Sequence, residues 1–207
     1  LTTSLEDIRA AIGAFTPALI PDSVDMQAAV ALVLREDETD VQVLFIERAA
    51  HDSDPWSGDI GFPGGRAEPG DAGLQSTAER ETLEEVGIAL SEAEFFGRLS
   101  DIGGGRLHVR VSCFIYALRA AGPLTLSLEV RDAFWVPLRK LLDPARHGEA
   151  TVRYGAEAMT RPAIRLPQPD KPVLWGLTYR LVMQFLEIVQ KEGLSGPRRD
   201  SDESGRL

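Results

Sequence analysis

Apolar residues recur along this chain with two periods, and the switches between them outline its elements. "SLEDIRAAIGAF" (4–15) has helical spacing with Ser4 as its cap, and a Pro-containing link follows to about residue 22. "MQAAVALVLRE" (26–36) is almost continuously apolar, as in a strand covered on both faces. A polar turn, "EDETD", separates it from "VQVLFIERA" (41–49), so the two are expected to form a hairpin. Residues 51–71 form a long loop rich in Gly, Pro and Asp, whose Trp56, Ile60 and Phe62 argue for order and function. Residues 71–86 read as a helix with Asp71 at its N-cap and Gly87 as its stop. Strands are expected at 94–101, 107–118 and near 134–137, with a short helix over 136–144 ended by Pro144. Residues 148–172 are turn-rich and show no clear period. A strong helix is predicted over 170–193, started by Asp170 and Pro172 and ended by Gly193. Leu174, Leu177, Leu181, Phe185 and Ile188 lie along one of its faces. The last residues, "LSGPRRDSDESGRL", have the composition of a disordered tail.

These elements suit one mixed α/β domain in 207 residues. No apolar run approaches the roughly 18 residues that span a bilayer. The first residues carry acids where a secretory signal needs basic residues, and a single cysteine, Cys113, excludes an internal disulfide. A cytoplasmic protein is the expectation. The net charge of −10 removes any general attraction to nucleic acid or anionic membrane. A phosphate-bearing ligand would need a cation between itself and the acids.

The stretch "AERETLEEVG" (78–87) concentrates that charge. Glu81, Glu84 and Glu85 share a helical face, Arg80 stands four residues before Glu84, and Thr82, Leu83 and Val86 are expected to face the core. Most acidic helix faces are simply solvated. Here the acids follow a glycine loop, "FPGG" (62–65), where Gly64 and Gly65 permit close backbone approach, and no lysine balances them. Hard carboxylate oxygens together with a loop carbonyl suit Mg²⁺ or Mn²⁺.

"GGRAEPGDAGLQSTAERETLEEVGI" (64–88) resembles the Nudix box of pyrophosphohydrolases, through Gly65, Asp71, Arg80, Glu81, Glu84, Glu85, Gly87 and Ile88. Asp71 stands where the box usually has Glu, and the interval to Arg80 is one residue longer than usual; both are familiar in the coenzyme A diphosphatase branch. The element from Gly58 to Gly65, "GDIGFPGG", and "LWGLTYRL" (174–181) are similar to that branch too. The strand end "LFIERA", the lack of an arginine between Ala49 and Gly58, and Cys113 at a position where proline is common depart from it.

The resemblance implies the Nudix α/β fold, a mixed β-sheet sandwiched between α-helices (α/β/α). It divides the chain into an N-terminal helix and link (1–24), the domain (25–192) and a tail (193–207). It implies hydrolysis of a nucleoside diphosphate linked to another group. Glu81, Glu85 and the carbonyl of Gly65 are the implied metal ligands, with Glu84 either a further ligand or the partner of Arg80. Relatives recruit the general base from different places; Glu81 and Glu129 are candidates for it here, the latter otherwise a surface acid at a strand end. For coenzyme A, the products would be adenosine 3′,5′-bisphosphate and phosphopantetheine. Arg48, Arg66 and Phe62 are candidate substrate contacts, and Arg106 and Arg110 further candidates for its 3′-phosphate. ADP-ribose, dinucleotides and dinucleoside polyphosphates are alternative substrates, and a nucleotide-binding regulator is a third reading that the intact acids oppose. A homodimer is common among such proteins, and the N-terminal helix is one surface for it. His51 and His108 have no partner at zinc-ligand spacing. Cys113 reads as buried and inert, Trp56 and Trp175 as packing residues, and "SDIGGG" (100–105) as a hairpin turn.

Overall fold

A computed structural model describes residues 3–21, 26–49, 58–104, 109–120, 122–155 and 157–195. Ser4 caps α1 (Leu5–Ala14) in a reciprocal box with Asp7. Then come β1 (Met26–Glu36), β2 (Val41–Arg48), β3 (Ile60–Gly61), β4 (Gly64–Arg66) and α2 (Leu74–Val86). A 3₁₀ turn at Leu90–Glu92 leads to β5 (Glu94–Arg98), β6 (Ile102–Gly104), β7 (Val109–Leu118) and β8 (Val130–Pro137). α3 (Leu138–Leu141), β9 (His147–Tyr154), β10 (Glu157–Ile164) and α4 (Gly176–Ser195) complete the order.

β1 is the axis of an eight-stranded mixed sheet. It runs parallel to β7 from Met26 opposite Val109 to Arg35 opposite Leu118. It forms the expected hairpin with β2, Leu34 opposite Val43, and pairs with β4 through Ala28 to Val30. β3 and β8 join β2, and β5 and β6 join β7. Strand alternation then sorts the side chains. Ala29, Ala31, Val33, Leu44, Ile46, Phe114 and Tyr116 meet Ala78 and Val86 of α2. Leu32, Leu34, Phe45, Cys113 and Ile115 face the opposite layer, where α1 brings Ile8 and Ile12 and α4 brings Leu181, Val182, Phe185 and Val189. Burying a side chain such as Phe185 contributes about 1.5–3 kcal/mol, so this layer anchors α4 firmly. The result is the α/β/α sandwich. α1 spends its apolar face on its own chain.

Several expectations shift. The turn-rich stretch holds a two-stranded hairpin, β9 with β10, whose largely exposed faces carry too few apolar side chains to show a strand period. α4 starts at Gly176, not Asp170, because Leu174 is still extended and exchanges backbone bonds of 2.9 Å with Ile164. It also passes Gly193 and runs to Ser195. "SDIGGG" is not a turn throughout, since Ile102–Gly104 pairs with β7. α3 is one turn long, and Pro144 opens a separate 3₁₀ turn instead of ending it. Trp56, His51, Arg106, His108 and the tail beyond residue 195 lie outside the described residues. Among the described residues no helix is long and apolar enough to cross a membrane.

Candidate active site

Two adjacent glycines bring the loop onto α2. Gly64 has φ of +150° and lies so close to β1 that a Cβ would stand 2.3 Å from the Ala29 carbonyl oxygen. Only glycine fits there. Its N–H donates to Glu85 Oε2 at 2.8 Å. Gly65, next in line, packs directly on the Glu81 carboxylate. Phe62 fixes the approach from the core side: it is 3% exposed and stacks on Phe45 with centroids 5.1 Å apart. Phe62 is therefore a core residue holding the loop down, and its expected place as a substrate contact is not what the packing gives.

Asp71 is not the cap of α2. Gly73 takes that position, its N–H donating to Ser76 Oγ at 3.0 Å. Asp71 instead accepts from Nε and Nη2 of Arg80, at 3.0 and 3.2 Å, and from Thr77 Oγ1 at 2.8 Å. The hydrogen bonds from Arg80, first of all, hold its carboxyl well below the usual carboxylate range. Arg80 Nη1 donates to Glu81 Oε1 at 3.0 Å and Glu84 Oε2 at 3.1 Å, while Nη2 also reaches the Arg66 carbonyl at 3.2 Å. One guanidinium thus ties the loop to two of the three acids. Gly87, with φ of +73°, ends α2 as expected.

The trio is unequal. Glu85 is 3% exposed and the Glu81 side chain 15%, but that of Glu84 is 58% exposed. Leu83 is 53% exposed, so the acids do not oppose the core face as expected. α2 buries Thr82, Glu85 and Val86 together, and the core-facing arc includes Glu85 while Leu83 points out. Burial is the main force raising the Glu81 carboxyl, opposed by Arg80 and reinforced by Glu84 and Glu129. Burial also pushes Glu85 up to about 7, against the Gly64 N–H and the charge of Arg48, with Glu81 and Glu129 adding repulsion.

Glu129 comes close because the chain before β8 follows the end of α2. Thr125 N–H donates to the Val86 carbonyl and Ser127 N–H to that of Glu85, each at 3.0 Å, and Ala49 N–H donates to the Glu129 carbonyl at 2.8 Å. Arg48 sits at a bulge in the β2–β8 pairing, and its charge acts on Glu85. The Arg66 side chain is exposed, at the end of β4 beside Gly65. Arg110 is buried and donates to the Ile20 carbonyl at 2.6 Å and Gln27 Oε1 at 2.8 Å, so it fastens the N-terminal link to the sheet. Cys113 is fully buried, with its thiol pushed up to about 12. Glu47, unremarked in the sequence, is buried and paired with Lys171 and Arg131, both at 2.9 Å. A lone acid inside the apolar strand "VQVLFIER" was its signal.

The donor set suits a hard divalent cation. Glu81 and Glu85 are both buried against the Gly64–Gly65 stretch, so their oxygens could hold such an ion, and the cost of keeping Glu85 charged is what a cation would relieve. Among the described residues no three acid, histidine or cysteine side chains already surround one point, and Arg80 Nη1 spans Glu81 and Glu84.

The sequence profile of the NUDIX domain matches residues 25–154. An uncharacterised protein of Schizosaccharomyces pombe is 32% identical over 154 residues, 63% of this chain and 47% of that protein. The mitochondrial coenzyme A diphosphatase NUDT8 of Homo sapiens is 28% identical over 162 residues, 75% of this chain and 66% of its own length. The chain thus spans about half to two-thirds of these relatives. The NUDIX domain of Shewanella oneidensis NrtR, solved with ADP ribose, superposes with a TM-score of 0.53 at 19% identity, covering 84% of this chain and 90% of that one. That likeness concerns the fold.

Proposed function

Because this chain belongs to the Nudix family, we propose that it is a metal-dependent hydrolase of the phosphoanhydride bond in a nucleoside diphosphate linked to a second group. The observation that carries this reading is the burial of Glu85 and Glu81 against Gly64 and Gly65 of β4. Charged oxygens kept from water beside a backbone carbonyl make a site for Mg²⁺ or Mn²⁺, held by Glu81, Glu85 and Gly65, with Glu84 at its rim. When bound, a divalent cation supplies positive charge to the diphosphate and makes water more acidic.

The chain's own groups do the rest. Arg80 keeps the loop and Glu81 in fixed relation through its bonds to Asp71, Arg66 and Glu81. Arg48 adds positive charge beside Glu85. Glu129 or Glu81 takes the proton as the water oxygen bonds to phosphorus and the bridging P–O bond breaks. Arg48 and Arg66 are the proposed cations for the substrate's outer phosphates.

Coenzyme A or its derivatives is the proposed substrate, giving adenosine 3′,5′-bisphosphate and phosphopantetheine. The "GDIGFPGG" and "LWGLTYRL" elements and the similarity to the human enzyme support it. The lack of an arginine between Ala49 and Gly58 favours a second reading, in which ADP-ribose or a dinucleotide is cleaved. Incubation with coenzyme A, ADP-ribose and dinucleoside polyphosphates, each with Mg²⁺ or Mn²⁺, tests both. Phosphopantetheine as the dominant product supports the first. A strong preference for ADP-ribose overturns it, and nucleotide binding without any product overturns hydrolysis altogether.

A further inference from the structure

The loop that carries Gly64 and Gly65 is braced from the far end of the chain. Its run from Asp59 is pinned residue by residue. Ile60 and Gly61 pair with Glu47 and Ile46 of β2, Phe62 stacks on Phe45, the Pro63 carbonyl accepts from Ala31 N–H at 2.8 Å, and Gly64 N–H donates to Glu85. At the start of the run, the Asp59 carbonyl accepts from Arg48 N–H at 3.1 Å. Its carboxylate oxygen accepts from the indole Nε1 of Trp175 at 2.9 Å, across 116 residues of sequence.

Trp175 belongs to a strap between β10 and α4. Gln168 Nε2 donates to the Trp135 carbonyl at 3.2 Å, Lys171 Nζ reaches Glu47 Oε2 at 2.9 Å, and Leu174 bonds Ile164. α4 then begins over the loop, where a Cβ added at Gly61 would stand 3.9 Å from Thr178 Oγ1. The strap therefore crosses β8 and β2 and ends on the same run that delivers Gly64 to Glu85. Glu47, which Lys171 holds, is the neighbour of Arg48.

We propose that Trp175 is a positioning residue for the glycine loop: its indole N–H fixes Asp59, and through the short pinned run it sets where Gly64 and Gly65 meet Glu85 and Glu81. This rests on the reading of that loop as the catalytic one. A ring packing there for bulk alone has no need of its N–H, so removing the donor while keeping an aromatic ring separates positioning from packing. A small shift of a ligand-bearing loop is enough to cost one or two orders of magnitude in rate.

The test compares Trp175→Phe, Asp59→Ala and the double variant with the unaltered chain, using the substrate found in the panel above. Trp175→Phe is expected to lower kcat about tenfold, leave KM within about twofold, and speed amide hydrogen exchange over residues 59–65 but not in β1. Asp59→Ala is expected to lower kcat at least as far, and the double variant to be no worse than Asp59→Ala alone. Asp59→Ala removes the bond without touching the ring, so it decides the matter if Trp175→Phe fails to fold. Unchanged kcat in a folded variant, additive losses, or unchanged exchange over 59–65 would overturn the proposal. If the unaltered chain cleaves nothing, the functional reading fails, and the exchange and its coupling still test the brace.

Discussion

A Cβ added at Gly65 would stand 2.4 Å from Oε1 of Glu81. At Gly64 the obstacle is backbone, the Ala29 carbonyl oxygen at 2.3 Å and the Val30 Cα at 2.5 Å. The two neighbours therefore differ in what yields. Gly65→Ala pushes aside the end of a flexible side chain, whereas Gly64→Ala must move a strand. Gly65→Ala is expected to lower kcat about 10²-fold or more while stability changes by less than about 1 kcal/mol. Gly64→Ala is expected to destabilise the fold by more than about 2 kcal/mol. Urea denaturation beside steady-state kinetics checks both, and equal stability losses would refute the distinction.

Glu85 opposes folding when charged. Its folded pKa of about 7 lies above the ordinary 4.5, so the folded state binds the proton more tightly. The unfavourable contribution is absent below pH 4.5, grows between the two values and is complete above about 7. Glu85→Gln should thus stabilise the metal-free protein at pH 8 by an amount on the order of 2 kcal/mol and bring no comparable gain at pH 4.5. Thermal unfolding across that range checks the sign. A variant equally or less stable at pH 8 would show that Glu85 is already compensated without a cation.

Arg80 acts through the shape of its guanidinium. Nε and Nη2 engage Asp71 while Nη1 engages Glu81 and Glu84, a span that one ammonium cannot reproduce. Arg80→Lys is expected to lower kcat about 10²-fold and stability by about 1–2 kcal/mol. Full activity in the lysine variant would show that charge alone suffices.

The exposures of Glu84 and Glu85 separate a rim acid from a buried one. Glu84 is at the surface and holds Arg80, so Glu84→Gln is expected to keep kcat within about tenfold. Glu85→Gln is expected to lose about 10³-fold, since its oxygens lie under the loop. Kinetics of both variants at saturating Mn²⁺ decide, and a larger loss at Glu84 would reverse the assignment.

Local signals carried much of this arrangement. The Ser4 cap, the β1–β2 hairpin, the Gly87 stop and the Arg80–Glu84 pair were legible because each involves residues within a few positions of one another. What sequence misplaced depends on tertiary neighbours. Asp71 looks like a cap until Arg80 claims it, and Phe62 looks like a ligand contact until Phe45 covers it. Leu83 fits an ideal apolar face, but β1 and the glycine loop rotate the buried arc of α2 toward Glu85. The exposed β9–β10 hairpin has no apolar period to read, and the Trp175–Asp59 bond joins segments 116 residues apart.

The proposed cation site is open to direct titration. Manganese added to the protein at pH 8 can be followed by the paramagnetic resonance of the free ion, comparing the unaltered chain with Glu85→Gln and with a Glu81→Gln, Glu85→Gln double variant. The chain is expected to remove at least about one ion per molecule from solution, weakly in the single variant and not at all in the double one. Equal uptake by all three proteins would mean that the buried pair under Gly64 and Gly65 is not where the metal binds.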